Sequence, residues 1–452
     1  MSDTIAAIAT GNQVAAIGII RLSGDEAINI VNRLFKPQSG KTMASYGDRK
    51  LVYGRLENLA GEQLDLCLCT ISHAPNSYTG ENTAELQCHG SPVLLRAALE
   101  ELFRAGARQA LPGEFTKRAF LNGRMDLSSA EAVADIIDAE SVQCVKNAAA
   151  QLSGAVTVKT EKIYAFLADI SSHYHAVLDY PDEDIEDFLL ENYVSGLRDA
   201  KRELGVLLSS FERGKLMQNG IPAAIVGRPN AGKSSLLNAL LGYERAIVTD
   251  IPGTTRDTIE EKLRIGSLTL RLTDTAGIRD SEDKVEQLGV ERSRLAMERS
   301  ELVIAVVDGS AELNDEDMEI IRRAEKAPKA ILVISKADLE QQGQQIESSL
   351  PCVSISSLTG EGLDRLEKEI EKLFPLPEVP AGEILTNLRH AQAVSAALES
   401  INAALEAMEY GATPDIVLTE SETAMAALGE LSGRSIREDV TNRIFQRFCV
   451  GK

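Results

Sequence analysis

Hydrophobic and polar positions follow a β-rich pattern in the first part of the chain. This part contains the runs VAAIGIIRL, LDLCLCTI and AELQCH together with one helical stretch, PVLLRAALEELFRAG. Alternating apolar and polar residues are typical of half-buried strands, whereas apolar residues three and four positions apart are typical of amphipathic helices. The pattern therefore predicts an α+β domain over residues 1–119.

The pattern becomes helical in two separate segments. The stretch SSAEAVADIIDAESVQCVKNAAAQL opens with a predicted capping box, Ser128 to Glu131, and the end of the chain returns to the same style. Neither segment is large enough to bury its apolar stripe alone. We therefore expect residues 120–216 and 379–452 to form one discontinuous helical bundle.

Between these segments, residues 217–378 alternate apolar strand runs with helical runs. The strand runs are IPAAIV, LTLRLTD, ELVIAVVD, KAILVIS and CVSIS. Such alternation predicts a mostly parallel sheet covered by helices, while EEKLRIGSLTLRLTD predicts an antiparallel hairpin that turns at Gly266. The chain as a whole is predicted to be a multidomain α/β protein.

Composition narrows the class of protein. No run approaches the ~20 apolar residues of a membrane span, and the N-terminus lacks a signal-peptide pattern, so we expect a cytoplasmic protein without membrane contact. The net charge of −21 opposes bulk attraction to nucleic acid, so RNA contact is expected only at a local basic patch or through a partner. A candidate patch, for which simple helix-dipole complementarity is the alternative, consists of Arg434, Arg437, Arg443, Arg447 and Lys452.

Six cysteines are scattered without a CxxC pair, so we expect free thiols in a reducing cytosol. In LDLCLC, a strand would place Cys67 and Cys69 on one face, where Cys88 and His89 could join them around a metal. Buried thiols that behave as small hydrophobic residues are the preferred interpretation. Cys449 lies in the terminal RFCVGK, which does not match a prenylation signal, and an inert thiol on a frayed terminus is the simplest alternative.

The segment GRPNAGKSS predicts a phosphate-binding loop over residues 227–235. It follows the strand run IPAAIV and precedes a helical run, which is the context that the GxxxxGK[ST] motif requires. Gly227 and Gly232 let the backbone N–H groups face an anion, Lys233 reaches the terminal phosphates, and Ser234 offers its hydroxyl to Mg²⁺.

Two further segments predict a nucleotide switch. DTAG, from Asp274 to Gly277, ends the next core strand, so its aspartate can hold Mg²⁺ through water and its glycine amide can sense a γ-phosphate. Thr254 and Thr255 in GTTRD offer a hydroxyl that an order–disorder transition could place on the metal.

The segment SKAD predicts guanine selection. Asp338 can accept two hydrogen bonds from the guanine edge, and Lys336 can pack its stem along the ring. Ser335 occupies the position where Asn is usual. The following base loop reads SISSLTG, with Ser356 and Ser357, instead of the familiar Ser-Ala-Lys.

The catalytic group differs from that of Ras-like enzymes. Those enzymes carry a water-positioning Gln directly after the DxxG glycine, whereas this chain has Ile278. An acidic residue in GIRDSEDKVEQLGVER is a candidate replacement, and no intrinsic arginine finger is evident in the sequence. Asn230 and backbone carbonyls of TDIPGTT could instead bind a large monovalent cation beside the phosphates.

The combination of GRPNAGKSS, TDIPGTTRD, DTAGIRDSEDKVEQLGVER and a terminal FCVGK resembles the MnmE (TrmE) family of tRNA-modification GTPases. The resemblance covers essentially the whole chain. It implies an N-terminal folate-binding-like and dimerisation domain at 1–119, a discontinuous helical bundle at 120–216 and 379–452, and an inserted Ras-like P-loop GTPase domain at 217–378.

The resemblance implies a K⁺-activated GTPase whose nucleotide-binding domains dimerise across GTP. Mg²⁺ would be bound by Ser234 and Thr255, and the family's water-orienting glutamate matches Glu286. The implied potassium ligands are Asn230, Thr249, Ile251 and Thr254. The implied GTP-binding residues are Asn230, Ala231, Gly232, Lys233, Ser234, Ser235, Thr249, Asp250, Ile251, Pro252, Gly253, Thr254, Thr255, Asp274, Thr275, Ala276, Gly277, Ser335, Lys336, Asp338, Ser356 and Ser357.

The resemblance also implies that the first domain binds 5-formyl- or methylene-tetrahydrofolate and forms a homodimer. The implied folate-binding residues are Arg21, Glu85, Arg124 and Lys452. Their types suit this ligand, because the amino-pyrimidine edge of a pterin donates hydrogen bonds to a carboxylate and the glutamate tail of folate binds a cation. Cys449 would lie beside the folate as a nucleophile or as a positioning residue.

The family works as a heterotetramer with the FAD protein MnmG and modifies C5 of the wobble uridine in certain tRNAs, adding an aminomethyl or carboxymethylaminomethyl group. The chain contains no GxGxxG fingerprint, which agrees with a flavin held by the partner. Two other classes stay open: a ribosome-assembly or timer GTPase of the translation-factor class, and a folate-binding scaffold without catalysis.

Overall fold

The computed structural model describes most of the chain. The described residues are 3–11, 13–179, 190–243, 261–266, 268–272, 294–341, 348–375, 379–434, 441, 444–446 and 448–451. The chain divides into two compact units. The first unit comprises Met1–Asp138, Ala148–Arg202 and Ala393–Lys452, and the second comprises Ala139–Asn147 and Glu203–Gln392.

The elements are numbered in chain order over the described residues. The strands are β1 (Ile5–Ile8), β2 (Ala15–Ser23), β3 (Phe35–Pro37), β4 (Val52–Glu57), β5 (Gln63–Ser72), β6 (Thr83–Gly90), β7 (Arg108–Gln109), β8 (Ile221–Val226), β9 (Glu261–Ile265), β10 (Leu268–Leu272), β11 (Leu302–Asp308), β12 (Lys329–Ser335) and β13 (Cys352–Ser354). The helices are α1 (Ala27–Leu34), α2 (Pro92–Arg104), α3 (Glu114–Leu121), α4 (Leu127–Ile137), α5 (Val142–Leu152), α6 (Ala155–Asp179), α7 (Leu190–Ser209), α8 (Phe211–Asn219), α9 (Lys233–Tyr243), α10 (Asp315–Ala324), α11 (Leu363–Leu373), α12 (Leu388–Glu409) and α13 (Pro414–Ser432).

In the first unit, the described strands form one mixed sheet in the order β3-β4-β5-β6-β2-β1-β7. The strands alternate as the sequence predicted: in β6, Ala84, Leu86 and Cys88 are buried on the face that packs against helices, whereas Glu85 lies on the other face. The α+β architecture predicted for this part of the chain is confirmed.

Helices from before and after the inserted segment pack together in the first unit, with α6 along α13. The predicted capping box at Ser128 is wrong, because the N-cap of α4 lies two residues earlier, at Asp126, whose carboxylate accepts from the Ser129 N–H at 2.7 Å. Ser128 is buried and donates to the Leu431 carbonyl of α13 at 2.8 Å. The Ser128 hydroxyl therefore makes a tertiary hydrogen bond in place of the helix-capping bond that the motif predicted.

The second unit contains a parallel sheet in the order β13-β12-β11-β8-β10-β9 over its described residues. The hairpin between β9 and β10 is its antiparallel part, with Ile265 opposite Leu268 and Gly266 at φ 54° between them. Helices α9 and α11 pack on one face of the sheet and α10 packs on the other. The predicted doubly covered parallel sheet with a hairpin at Gly266 is confirmed.

No described helix is both long and apolar enough to span a membrane.

Candidate functional site

The predicted phosphate loop connects β8 to α9. Asn230 has φ 63° and Gly232 has φ 97°, so the chain passes through the left-handed region twice within the loop. At Gly227 an added Cβ would lie 2.4 Å from the Val306 carbonyl oxygen, so the loop starts where only glycine fits. The strand–loop–helix context predicted from GRPNAGKSS is confirmed.

Lys233 is the first residue of α9, and its side chain curls back over the loop. Its Nζ donates to the carbonyls of Gly227 at 2.7 Å and Arg228 at 2.8 Å. Burial lowers the pKa of Lys233, and nearby Glu316 opposes this shift only in part. An ammonium group at a helix N-terminus, in surroundings that disfavour an isolated cation, is well placed to bind an anion.

The predicted base loop meets the phosphate loop directly. Ser335 ends β12 and is buried, and its hydroxyl donates to the Ala231 carbonyl at 2.6 Å. A Cβ added at Gly232 would lie 3.2 Å from the Ser335 side chain. Serine therefore joins the two loops at the position where Asn is usual.

The two side chains expected to recognise guanine are also held in place. The hydroxyl of Ser356 donates to an Asp338 carboxylate oxygen at 2.6 Å, and the Ala337 N–H donates to the Ile355 carbonyl at 2.9 Å. Lys336 has φ 57°, and its Nζ lies 2.6 Å from a carboxylate oxygen of Asp308. Asp308 and Ser310, which also bind one another, are residues that sequence reasoning missed.

Around this loop pair, Asn230, Ser234 and Ser235 are exposed, Ser357 is half-buried, and Ser356 is buried. The other predicted residues of this site lie outside the described residues and stay predictions. They are Thr249, Asp250, Ile251, Pro252, Gly253, Thr254, Thr255, Asp274, Thr275, Ala276, Gly277 and Glu286. Lys452 of the predicted folate site is outside them as well.

The first unit brings Arg21 and Glu85 together. They are directly opposed on β2 and β6, with Arg21 Nε 2.8 Å from a Glu85 carboxylate oxygen. The Arg21 guanidinium lies 5.8 Å from the ring centres of both Tyr78 and Phe115. A carboxylate, a cation and two aromatic rings thus lie close together, with Arg21 and Glu85 partly exposed and Phe115 buried.

The loop that carries Tyr78 also approaches Arg124. Tyr78 shares a 2.9 Å hydrogen bond with the Thr116 hydroxyl, and burial raises the pKa of its phenol although that bond and Arg21 oppose the shift. A Cβ added at Gly80 would lie 3.3 Å from Cγ of Arg124, whose side chain is exposed. Tyr78 and Thr116 were missed in the sequence, where SYTGE and GEFTKR give them no recognisable spacing.

A buried ion network fixes this loop against α3. Arg118 donates to Glu81, Glu114 and Asp3 at distances from 2.8 to 3.2 Å. Ser23 of β2 also donates to Glu81 at 2.7 Å. These bonds therefore hold in place the loop that carries Tyr78.

The C-terminal tail is attached to the same unit. Val450 forms an antiparallel bridge with Pro112, and the Gly113 N–H donates to the Cys449 carbonyl at 3.3 Å. At Gly451, with φ 100°, an added Cβ would lie 2.5 Å from the Ile8 carbonyl oxygen. The Cys449 side chain is exposed beside the start of α3, the helix that carries Phe115. The alternative of a thiol on a frayed terminus is therefore wrong.

The cysteines of the first sheet behave as predicted. Cys67, Cys69 and Cys88 are free thiols buried in the core under α2. A hydrogen bond to Cys88 together with burial raises the pKa of the Cys67 thiol, and burial raises that of Cys69, so both stay neutral. His89 lies with Nδ1 2.8 Å from a carboxylate oxygen of Asp65. The ligand atoms of Asp65, Cys67 and Cys88 lie within 4.8 Å of one another, so the alternative of a metal site here stays a prediction.

The fold and the two loop arrangements define a P-loop nucleotide-binding domain of the GTPase class, inserted into a helical bundle behind an α+β domain. Two models of protein families match the chain. Residues 4–124 match the GTP-binding protein TrmE N-terminus, and residues 127–449 match the MnmE helical domain.

Full-length relatives agree with these matches. Proteins named tRNA modification GTPase MnmE are 41% identical over 458 residues in Acetivibrio thermocellus and 39% identical over 460 residues in Alkaliphilus oremlandii. The alignments cover 100% of this chain and 99% and 100% of those proteins. The chain therefore belongs to the MnmE family of tRNA modification GTPases.

Solved structures are similar over a smaller part. The Era protein of Aquifex aeolicus bound to GDP and aluminium fluoride is 30% identical over 39% of this chain and 65% of its own length, with a TM-score of 0.26.

Proposed function

We propose that the protein is a K⁺-dependent GTPase that takes part in modifying C5 of the wobble uridine of certain tRNAs. In this proposal a flavoprotein partner of the MnmG type supplies redox chemistry, and the first domain supplies a one-carbon unit from tetrahydrofolate. The main support for guanine-nucleotide binding is the buried Ser335–Ala231 hydrogen bond, which joins the phosphate loop to the base loop.

In the nucleotide site, each described side chain has a distinct task. The N–H groups of the loop and the N-terminus of α9 bind the phosphates, and Lys233 exchanges its carbonyl partners for phosphate oxygens. Asp338, held by Ser356, accepts from the guanine edge. Phosphoryl transfer needs little covalent help from the protein, so positioning and charge stabilisation account for most of the catalysis.

The residues present fit the proposed metal ions. Ser234, exposed in the first turn of α9, would bind Mg²⁺, which neutralises phosphate charge. Asn230 is exposed on the phosphate loop with φ 63°, so its side-chain oxygen is available to K⁺. A monovalent cation at this position would supply positive charge that an arginine finger supplies in other GTPases.

In the proposed folate site, Glu85 accepts from the amino-pyrimidine edge of the pterin and Arg21 orients that carboxylate. Tyr78, which is 39% exposed, offers aromatic surface to the flat ring, whereas Phe115 is fully buried and lies near the Arg21 guanidinium. The exposed Arg124 binds the glutamate tail. The attached tail brings the Cys449 backbone to the start of α3, where it accepts from the Gly113 N–H. Homodimerisation of this domain belongs to the same proposal, and its support is the family membership of the chain.

A direct test compares hydrolysis of GTP and ATP by the purified full chain in KCl and in NaCl of equal ionic strength. We expect GTP to be hydrolysed much faster than ATP, and K⁺ to raise the GTP rate well above that in Na⁺. Equal rates in the two salts would remove the K⁺ dependence, and equal rates for the two nucleotides would remove guanine selection.

The tRNA part is tested by nucleoside analysis of tRNA from cells that lack the protein. We expect the C5 group on wobble uridine to disappear and to return with the wild-type gene. Cys449→Ser, assayed in the same cells, separates the two roles of this residue: loss of modification with normal folate binding supports a nucleophile, and full modification removes Cys449 from the mechanism.

A further inference from the structure

Asp308 lies beneath the base loop, and no motif assigns it a role. It is the last residue of β11, directly opposite Ser335 on β12, and its side chain is 10% exposed. One of its carboxylate oxygens lies 2.6 Å from Lys336 Nζ. The other accepts from the N–H of Ser310 at 3.0 Å and from its hydroxyl at 2.7 Å.

These bonds make Asp308 a fixed anion. Burial would raise the pKa of its carboxyl, but the hydrogen bonds from Lys336 and Ser310 outweigh that effect and lower the pKa below the ordinary value. The carboxylate is therefore ionised throughout the neutral pH range. Because both oxygens are occupied, it cannot turn to another cation without losing a partner.

The backbone of the base loop is held from the same side. Lys336 has φ 57°, an uncommon conformation for a residue with a side chain, and needs support from its surroundings. The Gly309 N–H donates to the Ser335 carbonyl at 3.1 Å, and the Gln341 side chain donates to the Lys336 carbonyl at 2.8 Å. A Cβ at Gly309 would lie 2.2 Å from the Gln341 side-chain oxygen, so the segment after β11 fits closely under the loop.

We propose that Asp308 is a positioning residue for guanine-nucleotide binding, which acts by holding the Lys336 ammonium so that the lysine stem lies flat for the purine ring. This inference rests on the proposed assignment of Lys336 and Asp338 to the base site. Lys336 packs on the ring face, which guanine and hypoxanthine share, whereas Asp338 reads the edge, where only guanine carries the 2-amino group. The two acids therefore act on different properties: Asp308 on affinity for any purine nucleotide, and Asp338 on the choice of base.

The experiment measures equilibrium dissociation constants of GDP and inosine diphosphate for the full chain. For Asp308→Ala we expect both constants to rise about tenfold, with their ratio unchanged, because the long lysine side chain loses its anchor and must be ordered on binding. Asp308→Asn keeps an acceptor without the charge and is expected to show a smaller rise, about threefold. In GTP hydrolysis, KM is expected to rise in parallel while kcat stays near the wild-type value.

A double-mutant cycle shows whether the effect passes through the lysine. Lys336→Met alone should weaken both nucleotides, and adding Asp308→Ala to it should change little more, because the shared interaction is already lost. Additive effects would overturn the proposal. So would wild-type GDP binding by Asp308→Ala or by Asp308→Asn.

Two controls separate this result from other failures. Glu325→Ala removes an acid that directly follows the last residue of α10 and accepts hydrogen bonds from the hydroxyls of Ser348 and Ser349. This change should leave both dissociation constants unchanged. Asp338→Asn should lower the preference for GDP over inosine diphosphate; if it does not, the proposed base site itself is wrong, whatever Asp308 does. Should the alanine variant fail to fold, as judged by its thermal transition, the asparagine variant carries the test.

Discussion

The two candidate sites are built in different ways. The nucleotide site depends on short contiguous motifs whose backbone curls at Asn230 and Gly232, and its side chains lie within a few residues of those motifs. The proposed folate site combines residues from β2, β6, the loop around Tyr78 and the start of α3. Contiguous sites depend on local dihedral angles, whereas dispersed sites depend on strand register and loop docking. Mutations at the nucleotide site should therefore act mainly by removing a functional group. Mutations at the proposed folate site should also act by displacing a segment that carries one.

The largest effect is expected at the phosphate loop. Lys233→Ala removes the ammonium at the N-terminus of α9, and GTP hydrolysis should fall by roughly 10²- to 10³-fold, the scale for losing one preorganised charge at a phosphate. Folate binding should stay unchanged. The measurement is steady-state hydrolysis together with folate titration. Lys326→Ala, at an exposed position of the same unit, serves as control, and a Lys233→Ala enzyme with normal kcat would contradict the assignment.

The corresponding change in the first unit is Glu85→Gln. It keeps the shape of the side chain but removes the charge that pairs with Arg21, so affinity for 5-formyltetrahydrofolate should fall about 10- to 100-fold. Isothermal titration on the full chain measures this, with Glu100→Gln, an exposed acid of the same domain, as the matched control. GTP affinity should not move. Equal folate affinity in both variants would remove Glu85 from the site.

Displacement of the C-terminal tail is tested by Gly113→Ala. At φ 66° the new Cβ would lie 2.6 Å from the Phe445 carbonyl oxygen and 2.9 Å from Phe448 Cβ, so the C-terminal tail must shift. We expect a loss of about 1–3 kcal/mol in stability and faster proteolysis of the tail, because strain and lost packing add.

The matched control for that change is Gly123→Ala. Gly123 has nearly the same φ, 67°, but no atom lies within 4 Å of its added Cβ. Gly123→Ala should lose only the about 1–2 kcal/mol of stability that a left-handed backbone costs a residue with a Cβ. The tail should stay protected from proteolysis. Equal tail cleavage in the two variants would mean that the contact at Gly113 does not hold the tail.

The smallest effect concerns the pH dependence of stability and the ion network around Glu114 in the first unit. Burial opposes ionisation of Glu114, but bonds from Arg108, the Leu111 N–H and Arg118 outweigh it and lower its pKa from 4.5. A lowered folded-state pKa means that the contribution to stability is present above pH 4.5 and is lost as the pH falls through the folded-state value. Urea unfolding between pH 7 and about pH 3 should show this loss, and Glu114→Gln should show less of it. Identical pH profiles would exclude the network as its source.

Much of the second unit could be predicted from sequence because its signals are local. The apolar runs of β8, β11 and β12 are mostly buried strands, and Gly232 and Gly266 occupy positive-φ positions where backbone shape is decided by the residue itself. The Ser128 capping box failed for a related reason. Its hydroxyl was predicted to accept from the N–H of Glu131, but it donates to the Leu431 carbonyl of α13, which lies 303 residues away in sequence.

The amino-acid sequence by itself determined the order of elements, the parallel sheet, the phosphate loop and the residue types at both candidate sites, because periodicity and glycine placement act over a few residues. Only the tertiary structure decided that Arg21 opposes Glu85, that Tyr78 and Phe115 flank them, that Asp308 holds Lys336, and that the Cys449 segment is attached beside α3. Each of these contacts depends on strand register or on close packing between distant segments. The free energy of such contacts comes from the completed core and is not encoded in either segment alone.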